Sequence, residues 1–199
     1  MANYRSSRVF PTILVVVIVI IAIIALISVA RALFFSGSSS PTPADTTQQS
    51  LLDTSASSSV SMSVRGPIVA DENFHSYKIV ISPSSREITT YNGYLDTVVG
   101  QQTLGNNTAA YEQFVNALNL AKMTAGNQPA GGEGNVKGVC ATGRLTEFSI
   151  LSNDAPVETL WTSTCSGSQG TLRANATQLS NLFIAQIPNA SVMINNVSL

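Results

Sequence analysis

The sequence predicts an α+β domain with a mostly antiparallel sheet and two packed helices, preceded by one N-terminal transmembrane helix and a disordered linker. Three observations predict it: an unbroken apolar run near the N-terminus, a Ser/Thr/Pro-rich stretch after it, and a remainder whose apolar residues recur with strand or helix periods. A chain of 199 residues holds one ordinary domain with appendages. The resulting partition is a cytoplasmic N-terminus at 1–8, an anchor at 9–35, a linker at 36–59 and an exported domain at 60–199.

From Ile13 to Ile27, "ILVVVIVIIAIIALI", every side chain is apolar, and with looser flanks the segment runs from Val9 to Ala30. About 20 such residues, rising ~1.5 Å each, cross a ~30 Å hydrocarbon core as a helix. The competing reading is a cleaved signal peptide, since Ala30-Arg31-Ala32 offers an A-x-A pattern. The run exceeds the ~7 to 15 residues of a secretory core, which favours a retained anchor. No cysteine follows the span to carry a lipid, and Arg5 and Arg8 are not adjacent, as a twin-arginine signal requires. Arg5, Arg8 and the amino terminus precede the span and only Arg31 follows before Arg65, so the N-terminus is expected inside and the rest outside.

The run "FPTILVVVIVIIAIIALISVA" resembles the N-terminal helix of type IV pilins, which implies cleavage before Phe10 and assembly through that helix. In that family a glycine precedes the phenylalanine and a glutamate follows four residues later; here Val9 and Leu14 occupy those positions.

The stretch "SGSSSPTPADTTQQSLLDTSASSS", Ser36 to Ser59, carries no hydrophobic period and reads as a tether, because it buries too little apolar surface to offset its ordering entropy. Beyond it, Val60, Met62, Val64 and Ile68 alternate with polar or small residues, a strand interrupted near Gly66-Pro67. Tyr77, Ile79 and Ile81 share one face of a second strand, "SPSS" turns the chain, and Ile88 to Tyr91 return as a hairpin. Three β-segments thus precede any helix.

A helix is expected from about Ala109 to Thr124, capped by Thr108 or Asn107 and closed by Gly126. Its apolar residues Tyr111, Phe114, Val115, Leu118 and Ala121 form one stripe. The glycine-rich "AGNQPAGGEGNVKG" follows a helix and matches no phosphate-cradling spacing, so it reads as a connection. Two more strands, roughly Arg144 to Leu151 and Val157 to Thr164, flank the turn residues "SNDAP". A second helix starts near Asn175, where Asn175 and Gln178 imitate a capping box, and presents Leu179, Leu182, Phe183 and Ile187 before Pro188 ends it. In the tail, Ala190, Val192 and Ile194 alternate as a final strand would.

Cys140 and Cys165 are the two cysteines, and both fall in the segment placed outside the cytoplasm. In an oxidising compartment a pair defaults to a disulfide. If the strands around "SNDAP" pair as a hairpin, the two cysteines meet near its open end. Closing about 26 residues, 140 to 165 inclusive, stabilises by roughly 3 to 4 kcal/mol.

The segment "TLWTSTC" opens an alternative. It resembles the Thr-Leu-x-Thr-Cys strand of sortases, membrane-anchored cysteine transpeptidases, with Thr159, Leu160 and Thr162 matching and Ser163-Thr164 inserted before Cys165. The resemblance implies Cys165 as nucleophile, with the only histidine, His75, and Arg173 as its partners. Otherwise His75, in "DENFHSY", reads as a loop histidine beside Asp71 and Glu72.

The combination of "GRLTEFSIL", "LWTSTCSGSQGT" and "LFIAQIP" behind a single span is similar to an uncharacterised family of bacterial single-span membrane-anchored exported proteins. That resemblance, on Leu160, Trp161, Cys165, Gln186, Ile187 and Pro188, implies a location and a cysteine pair and no activity. As a residue of a strand, Trp161 is expected to be half-buried.

One histidine, two cysteines and no run of acidic ligands form no recognisable metal site, and no cofactor motif is present. The charged share is 11% with no basic patch, which argues against nucleic acid. Sequons at Asn106, Asn175, Asn189 and Asn196 are what a chain this rich in Asn, Ser and Thr produces by chance. The expected role is therefore a non-enzymatic extracytoplasmic domain, held to the lipid bilayer by one helix, that binds an envelope protein or surface polymer or forms part of an envelope structure. The alternative is a sortase-like transpeptidase or hydrolase using Cys165, His75 and Arg173.

Overall fold

The segment "SSVSMSVR" sets the centre of the fold. Its strict alternation makes β1 (Ser58–Arg65) a strand with two unlike faces, Val60, Met62 and Val64 on one and Ser59, Ser61, Ser63 and Arg65 on the other. The computed structural model describes residues 43–127, 136–197 and 199. The expected anchor at 9–35 lies outside them, as do 36–42 of the expected linker. Among the described residues no helix is long and apolar enough to cross a membrane.

Around β1 lie β2 (His75–Ile81), β3 (Ser85–Asn92), β4 (Thr97–Gly105), β5 (Leu145–Ser152) and β6 (Ala155–Ser163). They form one sheet in the order β4-β3-β2-β1-β5-β6, every neighbouring pair antiparallel. The fold is α+β, as expected. Residues opposed in an antiparallel ladder share a face, so Met62 lies between Ile79 and Phe148, and Ser63 between Lys78 and Glu147.

The turns use the chemistry each geometry requires. Asn153 and Asp154 link β5 to β6 with φ of 51° and 62°, a left-handed pair that these two residues tolerate and that matches the twist of a tight hairpin. Ser82 closes the β2–β3 turn by accepting hydrogen bonds from the backbone N–H of Ser84 and Ser85 at 3.2 and 2.9 Å.

Helices α1 (Pro43–Leu51), α2 (Thr108–Leu120), α3 (Ala176–Ile184) and α4 (Ala190–Asn196) contribute their buried residues to the same core as the Met62 face. Asn107 caps α2 by accepting from the Ala110 N–H at 2.9 Å, and Asn175 caps α3 by accepting from Gln178 N–H at 3.0 Å. Each cap stabilises by about 1 kcal/mol. Phe183 of α3 meets Phe114 of α2 edge-on at 5.2 Å and Phe148 of β5 at 6.0 Å, fastening two helices to the sheet. Fully buried side chains such as Ile79, Ile88, Leu118 and Phe183 each stabilise by roughly 1.5 to 3 kcal/mol.

Four expectations are corrected. Residues 43–51 of the expected disordered linker form α1, whose Leu51 is fully buried and whose Gln48 donates to Asn119 of α2 at 3.0 Å, so the ordered domain starts before Val60. A fourth strand, β4, precedes α2. The tail is α4 rather than a strand: Asn189, at φ 64°, redirects the chain after Pro188, and Ala190, Met193, Ile194 and Val197 then bury at helical spacing. With α1 and α4 the described helices number four, not two.

Candidate functional site

The two cysteines end up bonded. Cys165 lies two residues past β6, Cys140 five before β5, and the hairpin between them brings their Cα atoms to 5.4 Å with the sulfurs joined. Bonded in this way, Cys165 carries no thiol to attack a substrate. His75 is the first residue of β2, opposite Asn92, rather than a loop residue. Arg173 lies after β6 and donates to the Gly170 carbonyl at 3.3 Å. Among the described residues no contact joins His75 or Arg173 to Cys165, and no group of three His, Cys, Asp or Glu side chains is placed to hold a metal ion. Trp161 is half-buried, opposite Glu147.

A different constellation lies on the sheet face away from the helices. Alternation and register build rows of mostly polar side chains across it. One runs Gln101, Thr89, Lys78, Ser63, Glu147, Trp161, and its neighbour runs Thr103, Glu87, Val80, Ser61, Ser149, Thr159. The Ser149 and Thr159 hydroxyls are bonded at 2.9 Å. Between the larger side chains runs a groove of about 420 Å³ lined by Ser61, Ser63, Lys78, Tyr91, Glu147 and Thr159. Burial pushes the Glu147 carboxyl above its ordinary value, partly offset by the positive charges of Arg65 and Lys78.

At the disulfide end the groove meets a cup of about 340 Å³ whose walls include Ile68, Phe74, Tyr94, Val136, Cys140 and Leu145. The Phe74 and Tyr94 rings stack at 4.1 Å and 15°. The Tyr94 hydroxyl donates to the Val69 carbonyl at 2.8 Å and accepts from the Val69 N–H at 3.1 Å, while the Tyr94 N–H donates to Asp71 at 2.7 Å. These bonds tie the segment before β2 to the β3–β4 turn. Ile68 N–H donates to the Ala141 carbonyl at 2.8 Å, tying the same segment to the cysteine loop. The disulfide thus braces one wall of the cup.

Arg65 and Asp96 line both the groove and the cup, placing a guanidinium and a carboxylate where the two meet. The arrangement suits binding more than bond-making: hydroxyls that donate and accept along the groove, one positive and one negative side chain at the junction, and apolar walls at the end. Neither family models, curated proteins nor solved structures match this chain.

The groove's residues are scattered from 61 to 159, and only the strand register brings them together. The one visible signal was the serine on every second position of "SSVSMSVR".

Proposed function

We propose that the chain is a membrane-anchored extracytoplasmic domain of the cell envelope that binds an envelope protein or surface polymer through the helix-free face of its sheet. The observation that carries this reading is the polar groove opening, past Arg65 and Asp96, into an aromatic-walled cup. A face of hydroxyls with one apolar end suits an extended, hydroxyl-rich or peptide-like ligand held by hydrogen bonds and anchored at its terminus. The Cys140–Cys165 bond is compatible with an oxidising compartment. The apolar run from Ile13 to Ile27 supports the anchor, and the resemblance to single-span exported bacterial proteins belongs to the same proposal.

Photo-crosslinking in cells tests it. A crosslinker at Tyr91 or Thr159, in the groove, should capture adducts that one at Gln113, on the helix layer, does not, and Tyr94→Ala should diminish them. Equal labelling from both sides of the sheet would defeat the assignment of this face.

A further inference from the structure

The sheet has two edges, and they are treated in opposite ways. Along β6 the outer backbone is covered: Thr171 and Leu172 N–H both donate to the Trp161 carbonyl at 3.0 Å, and the Trp161 N–H donates to the Thr171 hydroxyl at 3.1 Å. Gly170, at φ 84°, makes that approach because a Cβ there would lie 2.1 Å from the Trp161 carbonyl oxygen. The other half of β6 carries Pro156, which has no N–H, and Glu158, a carboxylate turned inward. These are the devices by which an edge avoids pairing.

The β4 edge has almost none of them. "TVVGQQTLG" is the only strand of the six without an Asp, Glu, Lys or Arg. It contains no proline, and its single irregularity is a bulge at Val99, between the pairs Tyr91↔Val98 and Thr90↔Gly100. Past the bulge, residues 100–105 run in register with β3 and are held firmly. Glu87 accepts from Gln101 at 3.1 Å and from Thr103 at 3.2 Å, and the Arg86 guanidinium donates twice to the Gly105 carbonyl at 3.0 and 3.2 Å. An uncharged strand, held in place on one side and with no bond from a described residue's backbone on the other, is a template for another strand.

We infer that β4 pairs antiparallel with β4 of a second copy of this chain, joining two six-stranded sheets across a twofold axis at Gln102. Three features select a second copy. A strand without charges meets itself with no like-charge repulsion. Because the β6 edge is covered, pairing of β4 with β6 of another copy is blocked, so association closes at two instead of growing into a filament. Opposed residues must also share a face, so the axis passes through a residue, and Gln102 is the middle one of the three residues Gly100, Gln102 and Leu104 that this stretch turns to the helix side. In that register Leu104 of each copy lies over Gly100 of the other, on the helix side, where Gly100 has no side chain and Met193 stands close by. The nearest anionic strand residues, Glu87 of the two copies, are three strand spacings apart, about 14 Å, beyond the ~8 Å screening length of physiological salt.

Cysteine linking in the full-length membrane protein tests this, with Cys140 and Cys165 already paired so that an introduced thiol is the only free one. Gln102→Cys should give a disulfide-linked dimer under mild oxidation, because the two Cα atoms face each other within disulfide reach. Leu104→Cys should not link to itself, since its copies lie four residues out of register, about 14 Å apart. Gln113→Cys on α2 measures random collision. Linking at Gln102 at least tenfold above both others is the expected result. No link at Gln102, or equal linking at all three positions, overturns the proposal. As an independent readout, Gln102→Lys alone should be monomeric by light scattering in detergent, and mixing it with Gln102→Glu should restore the dimer; a Gln102→Lys protein that stays dimeric also overturns it.

Discussion

The two faces of the sheet share one backbone and serve opposite solvents. On the helix side, Val60, Met62, Ile79, Ile81, Ile88 and Phe148 are 3% exposed or less, and packing decides every position. On the other side the same strands present serine, threonine and a few charges, and no described helix covers them. A one-residue shift of β1 would exchange the two sets, so its register is specified by which side takes the apolar residues. The face that specifies the fold is thus a poor place for function, and the face free of that duty carries the groove.

The largest break in this comparison is Ile79→Ala. Removing a fully buried side chain from the centre of the core costs about 2 to 5 kcal/mol and lowers the urea midpoint accordingly. Removal of the disulfide by Cys140→Ser with Cys165→Ser comes next, at roughly 3 to 4 kcal/mol from chain entropy, and it should loosen the Phe74–Tyr94 cup before the sheet, as hydrogen exchange at Ile68 would reveal.

Glu158 sharpens the comparison because it is the one carboxylate on the apolar side. It is 8% exposed, its Oε2 has no hydrogen-bond partner, and burial raises its pKa from 4.5 to about 6. The folded state therefore keeps the proton longer than the unfolded chain, so stability contributed by the neutral acid is present below pH 4.5 and falls as pH rises to about 6. Glu158→Gln should remove that slope and stabilise the domain at pH 7 by up to about 2 kcal/mol, measured as the difference between urea titrations at pH 4.5 and pH 7. The smallest effect is Ser61→Ala, one residue from Met62 but on the groove side, where its side chain is 4% exposed. Loss of the hydroxyl should move the midpoint by about 1 kcal/mol equivalent, while groove crosslinking from Thr159 changes.

Much of the fold was legible wherever one face is buried. β1, β2, β3, β5 and β6 show apolar residues on one face because only that face packs on the helices, and Asn107 and Asn175 announce α2 and α3 because a helix start needs an acceptor. β4 escaped because it is an edge: most of it is exposed on both sides, and the bulge at Val99 breaks its period. α1 escaped because "PADTTQQSL" has the composition of a tether and is held to the core chiefly by Leu51. In the tail, Ala190, Val192 and Ile194 satisfy a period of two as well as Ala190, Met193, Ile194 and Val197 satisfy a helical one, and the left-handed Asn189 decides between them. The cysteine pair could be read from its count of two and from the hairpin that separates them. The groove could not, because a site assembled from five strands exists only once their registers are known.

α1 also governs how the domain answers a pull. A pull at Pro43 would reach first a nine-residue helix whose attachments include Leu51 and the Gln48–Asn119 bond. The next hold is Asp53, whose carboxylate accepts from Ser55 N–H, Ser55 Oγ and Ser58 Oγ at 2.9, 3.0 and 2.8 Å at the entrance to β1. β1 itself lies between β2 and β5, so a force that drags it must shear two ladders at once. Unwinding the nine residues from ~1.5 to ~3.4 Å each would lengthen the chain ahead of β1 by about 17 Å. That extension needs no strand to move, so the sheet and its groove stay as they are.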